Sequence, residues 1–211
     1  MSDRRGHPIR GRLNSWFLAA VEEGMHREYG ERKVRLFGEI PGTVVELGPG
    51  AGANFRYYPL GTRVVAVEPN PMMHRRLLAQ GRRRGIELDL LPARAEGLEI
   101  ESASAKLVVS TLVLCSVEDP GRVVAEVKRI LRPGGRFAFL EHVAASPGSR
   151  LRRAQEAVHR PWHWLGEGCH LTRDTAATLE AAGFASLEIE RFESGFPWAP
   201  FAPHVAGVAT R

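Results

Sequence analysis

Cysteine and lysine are scarce in this chain of 211 residues, and long apolar runs are missing. The two cysteines, Cys115 and Cys169, are too few for a disulfide framework, so we expect a reducing compartment, the cytoplasm. The longest early apolar stretch covers only residues 16–21, whereas a membrane-spanning helix needs about 20 apolar residues. We therefore expect neither a membrane anchor nor a signal peptide, but one soluble globular protein.

The charge is unbalanced towards arginine. Of the 29 basic residues, 26 are arginine and 3 are lysine, and 24 acidic residues leave a net charge of +5. Such an excess favours nucleic-acid binding only where the cations share one face. At helical spacing, the arginines between residues 75 and 83 fall opposite Met73 and Leu77, hence on a solvated face. We therefore expect no nucleic acid among the partners.

Short apolar, β-branched runs alternate with helical patterns from residue 43 onward. Most of these runs lack polar interruptions, as is typical of strands buried on both faces. Asn70-Pro71 and Asp119-Pro120 are typical helix starts, an N-cap followed by proline. The alternation predicts an α/β fold: a doubly wound, mostly parallel sheet of seven strands with helices on both faces, the last two strands pairing at one edge. The predicted strands cover residues 43–48, 63–68, 86–91, 106–114, 136–141, 186–192 and 205–210.

The pattern divides the chain into two segments. Residues 1–40 are predicted to be a helical lid or packing segment, with the helix beginning near residue 13 and ending near residue 37. Residues 41–211 are predicted to be one globular domain, since neither an internal repeat nor an interdomain linker interrupts them. A monomer is the favoured state.

Gly48, Gly50 and Gly52 directly follow the first predicted strand, where ligands bind in open parallel sheets. A glycine turn alone is weak evidence, because glycine serves any tight strand-to-helix turn. Glu68, however, ends the second strand 20 residues after Gly48, at the spacing of a carboxylate that accepts hydrogen bonds from ribose hydroxyls. The combination predicts a nucleoside-containing cofactor. The glycines are too closely spaced for the pyrophosphate-binding loop of dinucleotide dehydrogenases.

The loop from Glu46 to Gly52, with Leu131-Arg-Pro-Gly-Gly135 before the fifth strand, resembles the class I methyltransferases that use S-adenosylmethionine. The resemblance implies S-adenosyl-L-methionine as methyl donor and S-adenosyl-L-homocysteine as product. It implies these cofactor-binding residues: Glu46, Gly48, Gly50, Gly52, Asn54, Glu68, Pro69, Ala95, Glu96, Thr111 and Leu112.

The chain is more specifically similar to the small-molecule thiol S-methyltransferases, a family of membrane-anchored animal enzymes and soluble bacterial relatives. The most specific segments are Thr111-Leu-Val-Leu-Cys-Ser-Val117, Leu140-Glu-His-Val-Ala-Ala145 and Gly168-Cys-His-Leu-Thr-Arg173. The resemblance implies methyl transfer to the sulfur of a small thiol, with reduced dithiol natural products among the candidate acceptors. Glu68-Pro-Asn70 replaces an Asp-Pro-Asn of the family. The ribose role is therefore kept, but a catalytic role tied to the shorter aspartate is not carried over.

An acceptor thiol needs help to ionise, because with a pKa of about 8.5 it is only a few per cent thiolate at neutral pH. His142, at the end of the fifth strand, is predicted to be the catalytic base or thiolate stabiliser. The alternative is that it only orients the acceptor or satisfies a backbone carbonyl. Cys115, Trp162, His163 and His170 are predicted to line the acceptor pocket, with core packing as the alternative for the tryptophan.

A metal site is not expected. His159, His163, Cys169 and His170 superficially resemble metal ligands, but their spacing matches no standard zinc pattern. Pro161 is also expected to interrupt the helix that would bring the first two histidines onto one face.

Three other functions stay open at this point. The same fold could methylate oxygen or carbon of a small metabolite. An RNA methyltransferase is motivated by the net charge of +5, although no Asn-Pro-Pro-Tyr segment follows the fourth strand. A protein that binds S-adenosylmethionine without catalysis is the third.

Overall fold

The computed structural model describes residues 8–166, 168–195 and 199–211. In this part of the chain, five α-helices alternate with seven strands, and a short 3₁₀ helix covers Ala53–Tyr57. The helices are α1 (Pro8–Phe37), α2 (Pro71–Arg84), α3 (Pro120–Ile130), α4 (Arg150–Leu165) and α5 (Thr175–Ala181). The strands are β1 (Thr43–Leu47), β2 (Arg63–Val67), β3 (Glu87–Leu91), β4 (Ala105–Thr111), β5 (Leu131–His142), β6 (Ser186–Glu193) and β7 (Pro203–Thr210).

The strands form one sheet in the order β3-β2-β1-β4-β5-β7-β6. All neighbours run parallel except β7, which is antiparallel to both β5 and β6. The chain builds outward from β1 to β3 and then crosses to the other side of β1, so the strand order reverses between β1 and β4. The predicted doubly wound sheet of seven strands is confirmed, as is the pairing of the last two strands at one edge.

Helices cover both faces of the sheet. On one face, Val127 of α3 and Leu179 of α5 share a buried core with Phe137 of β5. On the other face, Phe37 of α1 and Leu77 of α2 share a core with residues of β1 and β4. The apolar residues of α3 recur at intervals of three or four, which places them on one side of the helix.

The predicted caps set the starts of α2 and α3. Asn70 Oδ1 accepts the Met72 N–H at 3.0 Å, and Asp119 Oδ1 accepts the Arg122 N–H at 2.9 Å. Each cap is followed by proline, whose missing N–H is not needed at a helix start. Only residues 68–70 separate β2 from α2, and the Asn70 cap fixes the end of this connection at the helix.

The first helix is anchored through its C-terminal half. Tyr29, Lys33 and Phe37 are buried, and Arg136 of β5 donates to the carbonyl oxygens of Phe37 (3.2 Å) and Glu39 (2.6 Å). The side chains of the apolar stretch at residues 16–21 lie outside the described part of the chain. Within the described ranges, no helix combines the length and the apolar character needed to cross a membrane.

Gln155 fastens α4 to the chain that leaves β5. Its side-chain Oε1 accepts the Ala145 N–H at 2.8 Å, and its Nε2 donates to the carbonyl oxygens of Val143 (3.2 Å) and Pro200 (2.9 Å). A fully buried amide with these three bonds is well satisfied. The helix is therefore fixed at the carboxyl end of the central strands.

Two strand boundaries differ from the prediction by more than two residues. β4 ends at Thr111, earlier than expected, because Leu112 has a left-handed φ of 59° that turns the chain out of the sheet. β5 begins at Leu131 rather than at residue 136, and residues 132–135 interrupt the regular ladder to β4.

We expect Gly207→Ala to disrupt the pairing of β5, β6 and β7. An added Cβ would lie 2.7 Å from Phe139 Cζ and would also meet the Glu188 carbonyl oxygen. Overpacking a dense interior costs about 1–3 kcal/mol, so urea denaturation should show a loss of at least about 2 kcal/mol in the free energy of unfolding. Gly42→Ala is the control, because no atom lies within 4 Å of its added Cβ. Equal losses in the two variants would contradict this explanation.

Candidate active site

Buried acidic and polar side chains gather where the parallel strands end. Glu46 lies in β1, Glu68 follows β2, Thr111 ends β4, and Glu141 and His142 end β5. The three glutamates are 1%, 5% and 0% exposed in this order. The carboxyl ends of parallel strands meet at one edge, and ligands bind in the crevice beyond it.

Glu46 is held by two donors in the interior. Asn54 Nδ2 donates to Oε1 at 2.9 Å, and Tyr58 Oη donates to Oε2 at 2.9 Å. Asn54 Nδ2 also donates to Thr111 Oγ1 at 3.1 Å, which links β1, the 3₁₀ helix and β4 at one point. Burial raises the pKa of Glu46 to about 7, against the lowering effect of these two donors and of the Lys33 charge.

Glycine forms the turn after β1 because the backbone and its surroundings require it. Gly48, Gly50 and Gly52 have φ values of 52°, 57° and 87°. A Cβ at Gly48 would lie 2.7 Å from Val113 Cγ2, and one at Gly52 would lie 2.9 Å from the Phe55 ring. The turn therefore presents backbone, not side chains, to this edge of the sheet.

Glu68 closes the same turn. Its Oε2 accepts the Gly50 N–H at 2.9 Å, and its Oε1 accepts the Asn70 N–H at 2.8 Å. His74 of α2 donates from Nε2 to the Glu68 carbonyl oxygen at 2.9 Å. These two backbone bonds fix the orientation of the Glu68 carboxylate. Pro69, which follows, is exposed.

The loop after β3 is tied to the loop after β4. Ala95 is buried, and Glu96 accepts the Glu118 N–H at 2.9 Å through Oε1. Burial alone would raise the pKa of Glu96, but the backbone N–H groups of Glu96 and Glu118 and the Arg94 guanidinium lower it below its usual value. Glu96 is therefore a fixed, ionised hydrogen-bond acceptor at neutral pH. Leu112 directly follows β4.

His142 ends β5 opposite His204 of β7, with the two rings perpendicular and their centroids 5.7 Å apart. His204 Nδ1 lies 2.8 Å from the Ala202 carbonyl oxygen, so it carries the proton, and Nε2 then accepts from Tyr29 Oη at 3.2 Å. Burial lowers the pKa of His204 to about 4, so this ring is neutral. His142 is 4% exposed, and neither of its ring nitrogens has a hydrogen-bond partner among the described residues.

Two free thiols lie beside this ring. The His170 N–H donates to the Cys115 carbonyl oxygen at 2.8 Å, which brings the loop after β4 against the turn after α4. Contact with Cys115 lowers the pKa of the Cys169 thiol, although burial alone would raise it, and His142 and Trp162 lower it further. The same contact raises the pKa of the Cys115 thiol. The structure thus places Cys115 and Trp162, predicted to line the acceptor pocket, in one corner with His142.

Three histidines meet at the end of α4, contrary to expectation. Pro161 does not interrupt this helix. Proline has no N–H to donate to the carbonyl oxygen of Ala157, but both residues lie on the exposed side of the helix, where water can take the place of that donor. His159 and His163 therefore lie one turn apart, with ring centroids separated by 5.8 Å. The ring of His170 lies 5.3 Å from the first and 4.5 Å from the second.

Comparison with known proteins identifies the family. Residues 45–139 match the methyltransferase domain family. Over 93% of its length the chain is 37% identical to thiol S-methyltransferase TMT1B of Mus musculus, of which it covers 85%. Over 80% of its length it is 38% identical to thiol S-methyltransferase TMT1A of Homo sapiens, of which it covers 70%. The chain belongs to the thiol S-methyltransferase family.

A solved structure agrees with this assignment at the level of the fold. An S-adenosylmethionine-dependent methyltransferase from Mesorhizobium loti superposes with a TM-score of 0.62 at 24% identity, over 87% of this chain and 97% of that one. The thiol S-methyltransferase family member described here is an S-adenosylmethionine-dependent methyltransferase, which confirms the predicted enzyme class and cofactor.

The edge fits such a cofactor. The turn after β1 is built from glycines at positive φ, the kind of turn whose backbone N–H groups a ligand can approach closely in an open parallel sheet. Asn54 Oδ1 is a buried acceptor that has no donor in the described part of the chain. A donor on a bound molecule would satisfy it.

Tyr58, Glu141 and His204 carry no predicted role, yet each belongs to the network at this edge. Glu141 Oε1 accepts Ser110 Oγ at 2.6 Å and the Val113 N–H at 3.2 Å, and burial raises the pKa of Glu141 to about 7. The available signal was an acidic residue inside an otherwise apolar strand. That signal predicts a buried carboxylate but does not identify its hydrogen-bond partners.

We expect Gly48→Ala to weaken S-adenosylhomocysteine binding at least about tenfold, which corresponds to 1.4 kcal/mol. The added methyl group meets Val113, and φ at this position is 52°. Gly61→Ala is the control for a side chain at positive φ outside the turn, because φ there is 76° and no atom lies within 4 Å of the added Cβ. Calorimetric titration should show little change for Gly61→Ala. A similar loss in both variants would refute the steric argument.

We expect the free energy of unfolding of Glu46→Gln, measured relative to that of the parent, to rise with pH. Burial raises the pKa of Glu46 from 4.5 to about 7, so between these values the native protein holds a proton that the unfolded chain has lost. Native stability from this group is therefore lost as pH rises through 7. The difference in unfolding free energy between variant and parent should increase by about 2–3 kcal/mol from pH 5 to pH 8. Urea denaturation with the exposed Glu99→Gln as control measures it, and a pH-independent difference would contradict it.

Proposed function

We propose that this enzyme transfers the methyl group of S-adenosylmethionine to the sulfur of a small-molecule thiol. Its relatives from Mus musculus and Homo sapiens are named for that acceptor. The observation that carries the proposal is His142, a buried ring beside the Cys169 thiol and next to the strand ends that hold Glu46 and Thr111. Such a ring is placed to receive a proton from a bound acceptor.

The cofactor is assigned to the edge formed by β1, β2 and β4. When bound, S-adenosylmethionine supplies a methyl group on a sulfonium sulfur, and an acceptor takes it by in-line displacement. Glu68 is oriented to accept the ribose hydroxyls. Asn54 Oδ1 is an acceptor for the ammonium group of the methionine end. The remaining predicted cofactor residues keep their roles in this proposal: Glu46, Gly48, Gly50, Gly52, Pro69, Ala95, Glu96, Thr111 and Leu112.

His142 acts on the acceptor. A thiol is mostly protonated at neutral pH, so the S–H proton must leave before or during attack. The proton passes to a ring nitrogen of His142, and the sulfur lone pair is released for bond formation. His204 is neutral and therefore does not repel the imidazolium that forms. Cys115, Trp162, His163 and His170 are assigned to the walls of the acceptor site.

A matched acceptor series tests the choice of sulfur. We expect methyl transfer to 2-phenylethanethiol and none to 2-phenylethanol or 2-phenylethylamine, because these compounds differ only in the reacting atom. Mass spectrometry of the methylated product gives the readout. Transfer to the alcohol or amine but not to the thiol would overturn the proposal, and absence of any transfer with intact S-adenosylhomocysteine binding would favour a non-catalytic protein.

Replacement of the base tests the mechanism. We expect His142→Asn to lower kcat for 2-phenylethanethiol at least about 100-fold at pH 7, the lower bound for general base catalysis. The loss should shrink at high pH, and it should be much smaller for thiophenol, a more acidic thiol that is already ionised. Calorimetry with S-adenosylhomocysteine controls for folding. An equal loss for both thiols would show that His142 only positions the acceptor.

The proposal also includes the cellular location and the oligomeric state of the enzyme. We place the enzyme in the cytoplasm as a monomer, with residues 1–40 acting as a lid or packing segment. Two observations support this setting: both cysteines carry free thiols, and Tyr29 of the first helix reaches the acceptor side. Reduced dithiol natural products remain among the candidate acceptors.

A further inference from the structure

We propose that His159, His163 and His170 bind one zinc ion, with the fourth coordination position left to an exogenous ligand. The site lies at the end of α4 and shares His163 and His170 with the proposed walls of the acceptor site. The proposal rests only on the arrangement of the three rings and not on methyl transfer. The expected ligand is a divalent transition metal, because three imidazole nitrogens suit zinc better than calcium or magnesium, which prefer oxygen.

The three rings are already close to a coordinating arrangement. One ligand nitrogen from each ring lies within 4.8 Å of the others. In a tetrahedral site with Zn–N bonds of about 2.0–2.1 Å, such nitrogens stand about 3.3 Å apart. The rings thus need to close by at most about 1.5 Å, which side-chain rotation supplies without backbone movement.

The backbone brings the ligands together from two elements. His159 and His163 are four residues apart on α4, the spacing that puts two histidines on one side of a helix. The Gly168 N–H donates to the His163 carbonyl oxygen at 2.9 Å, and the His170 N–H donates to Cys115 at 2.8 Å. The third ligand therefore comes from a turn that is fixed to both the helix and the loop after β4.

Two of the rings leave buried nitrogens unsatisfied. Nδ1 of His159 and Nδ1 of His163 are buried, and neither has a hydrogen-bond partner in the described ranges. Unpaired buried nitrogens are costly, and the cost is removed when the ring binds a metal and its other nitrogen takes the proton.

Arg173 is held by backbone carbonyl groups outside the cluster. Arg173 is close enough to influence His170, but its Nη1 donates to the carbonyl oxygens of Leu114 and Val117 at 2.7 Å each. The three rings are each half-buried, so the cluster stays partly exposed to solvent. Three histidines with an open fourth position form the donor set of catalytic rather than structural zinc sites.

Zinc titration of the full chain tests the site. The metal-free protein, prepared with a chelator, should bind roughly one equivalent of zinc, and its melting temperature should rise. His163→Gln and His170→Gln should each weaken binding by more than about 100-fold, since even a partner outside the ligand shell is worth about 10–100-fold. His26→Gln is the control, because this half-buried histidine is bonded to Tyr57 Oη at 2.7 Å. It should bind zinc like the parent.

Cobalt substitution tests the open position. The visible absorption of the cobalt(II) protein should indicate tetrahedral coordination and should change when azide is added. The proposal is overturned if the parent binds no zinc in competition with a chelator, if His170→Gln retains parental affinity, or if azide leaves the cobalt spectrum unchanged. Binding of S-adenosylhomocysteine shows that each variant is folded. Zinc binding in a protein that methylates no thiol would leave this site standing and defeat only the proposed function.

Discussion

The buried carboxylate of Glu46 is the group on which the candidate active site depends. A carboxylate in the interior is costly unless donors surround it, and here Asn54 and Tyr58 supply them. Because the same Asn54 amide also reaches Thr111, the glycine turn, the 3₁₀ helix and the end of β4 are held in one arrangement. A shift of the 3₁₀ helix would take the Asn54 amide away from both Glu46 and Thr111. The geometry of the glycine turn is therefore a consequence of buried electrostatics as much as of glycine itself.

The concentration of carboxylates at this edge also suits a cationic ligand. Burial raises the pKa of both Glu46 and Glu141 to about 7, so each is close to half-ionised at neutral pH. A positive charge nearby favours the ionised form of such groups. The negative charge at this edge therefore increases when a cation binds, and it is lower when none is present. Partial protonation in the absence of a cation therefore lowers the free-energy cost of burying several acidic side chains close together.

The fold could largely be predicted from the sequence, but the network of side-chain hydrogen bonds could not. Strand and helix alternation, the caps at Asn70 and Asp119, and the edge pair β6–β7 all follow from local patterns that the structure confirms. The expected break at Pro161 was wrong, because a helix tolerates proline where the unpaired carbonyl faces solvent, and exposure of that side is set by tertiary packing.

The partners of the site residues were not predictable for a related reason. Tyr58 reaching Glu46 and Tyr29 reaching His204 are contacts across 12 and 175 residues of sequence. Spacing rules describe one element at a time, so they cannot pair side chains that different elements deliver to the same point. The glycine turn and Glu68 could be found because both lie at fixed offsets within a single β–turn–β unit.

The first helix joins the two sides of the site. Lys33 contributes its charge to Glu46 on the cofactor side, and Tyr29, one turn earlier, donates to His204 on the acceptor side. Because that bond and the Ala202 carbonyl fix the tautomer of His204, the helix controls the neutral ring that faces His142. A shift of α1 would change both the ionisation of Glu46 and the surroundings of His142. This physical connection between donor and acceptor sides follows from the spacing of Tyr29 and Lys33, four residues apart on one side of a helix.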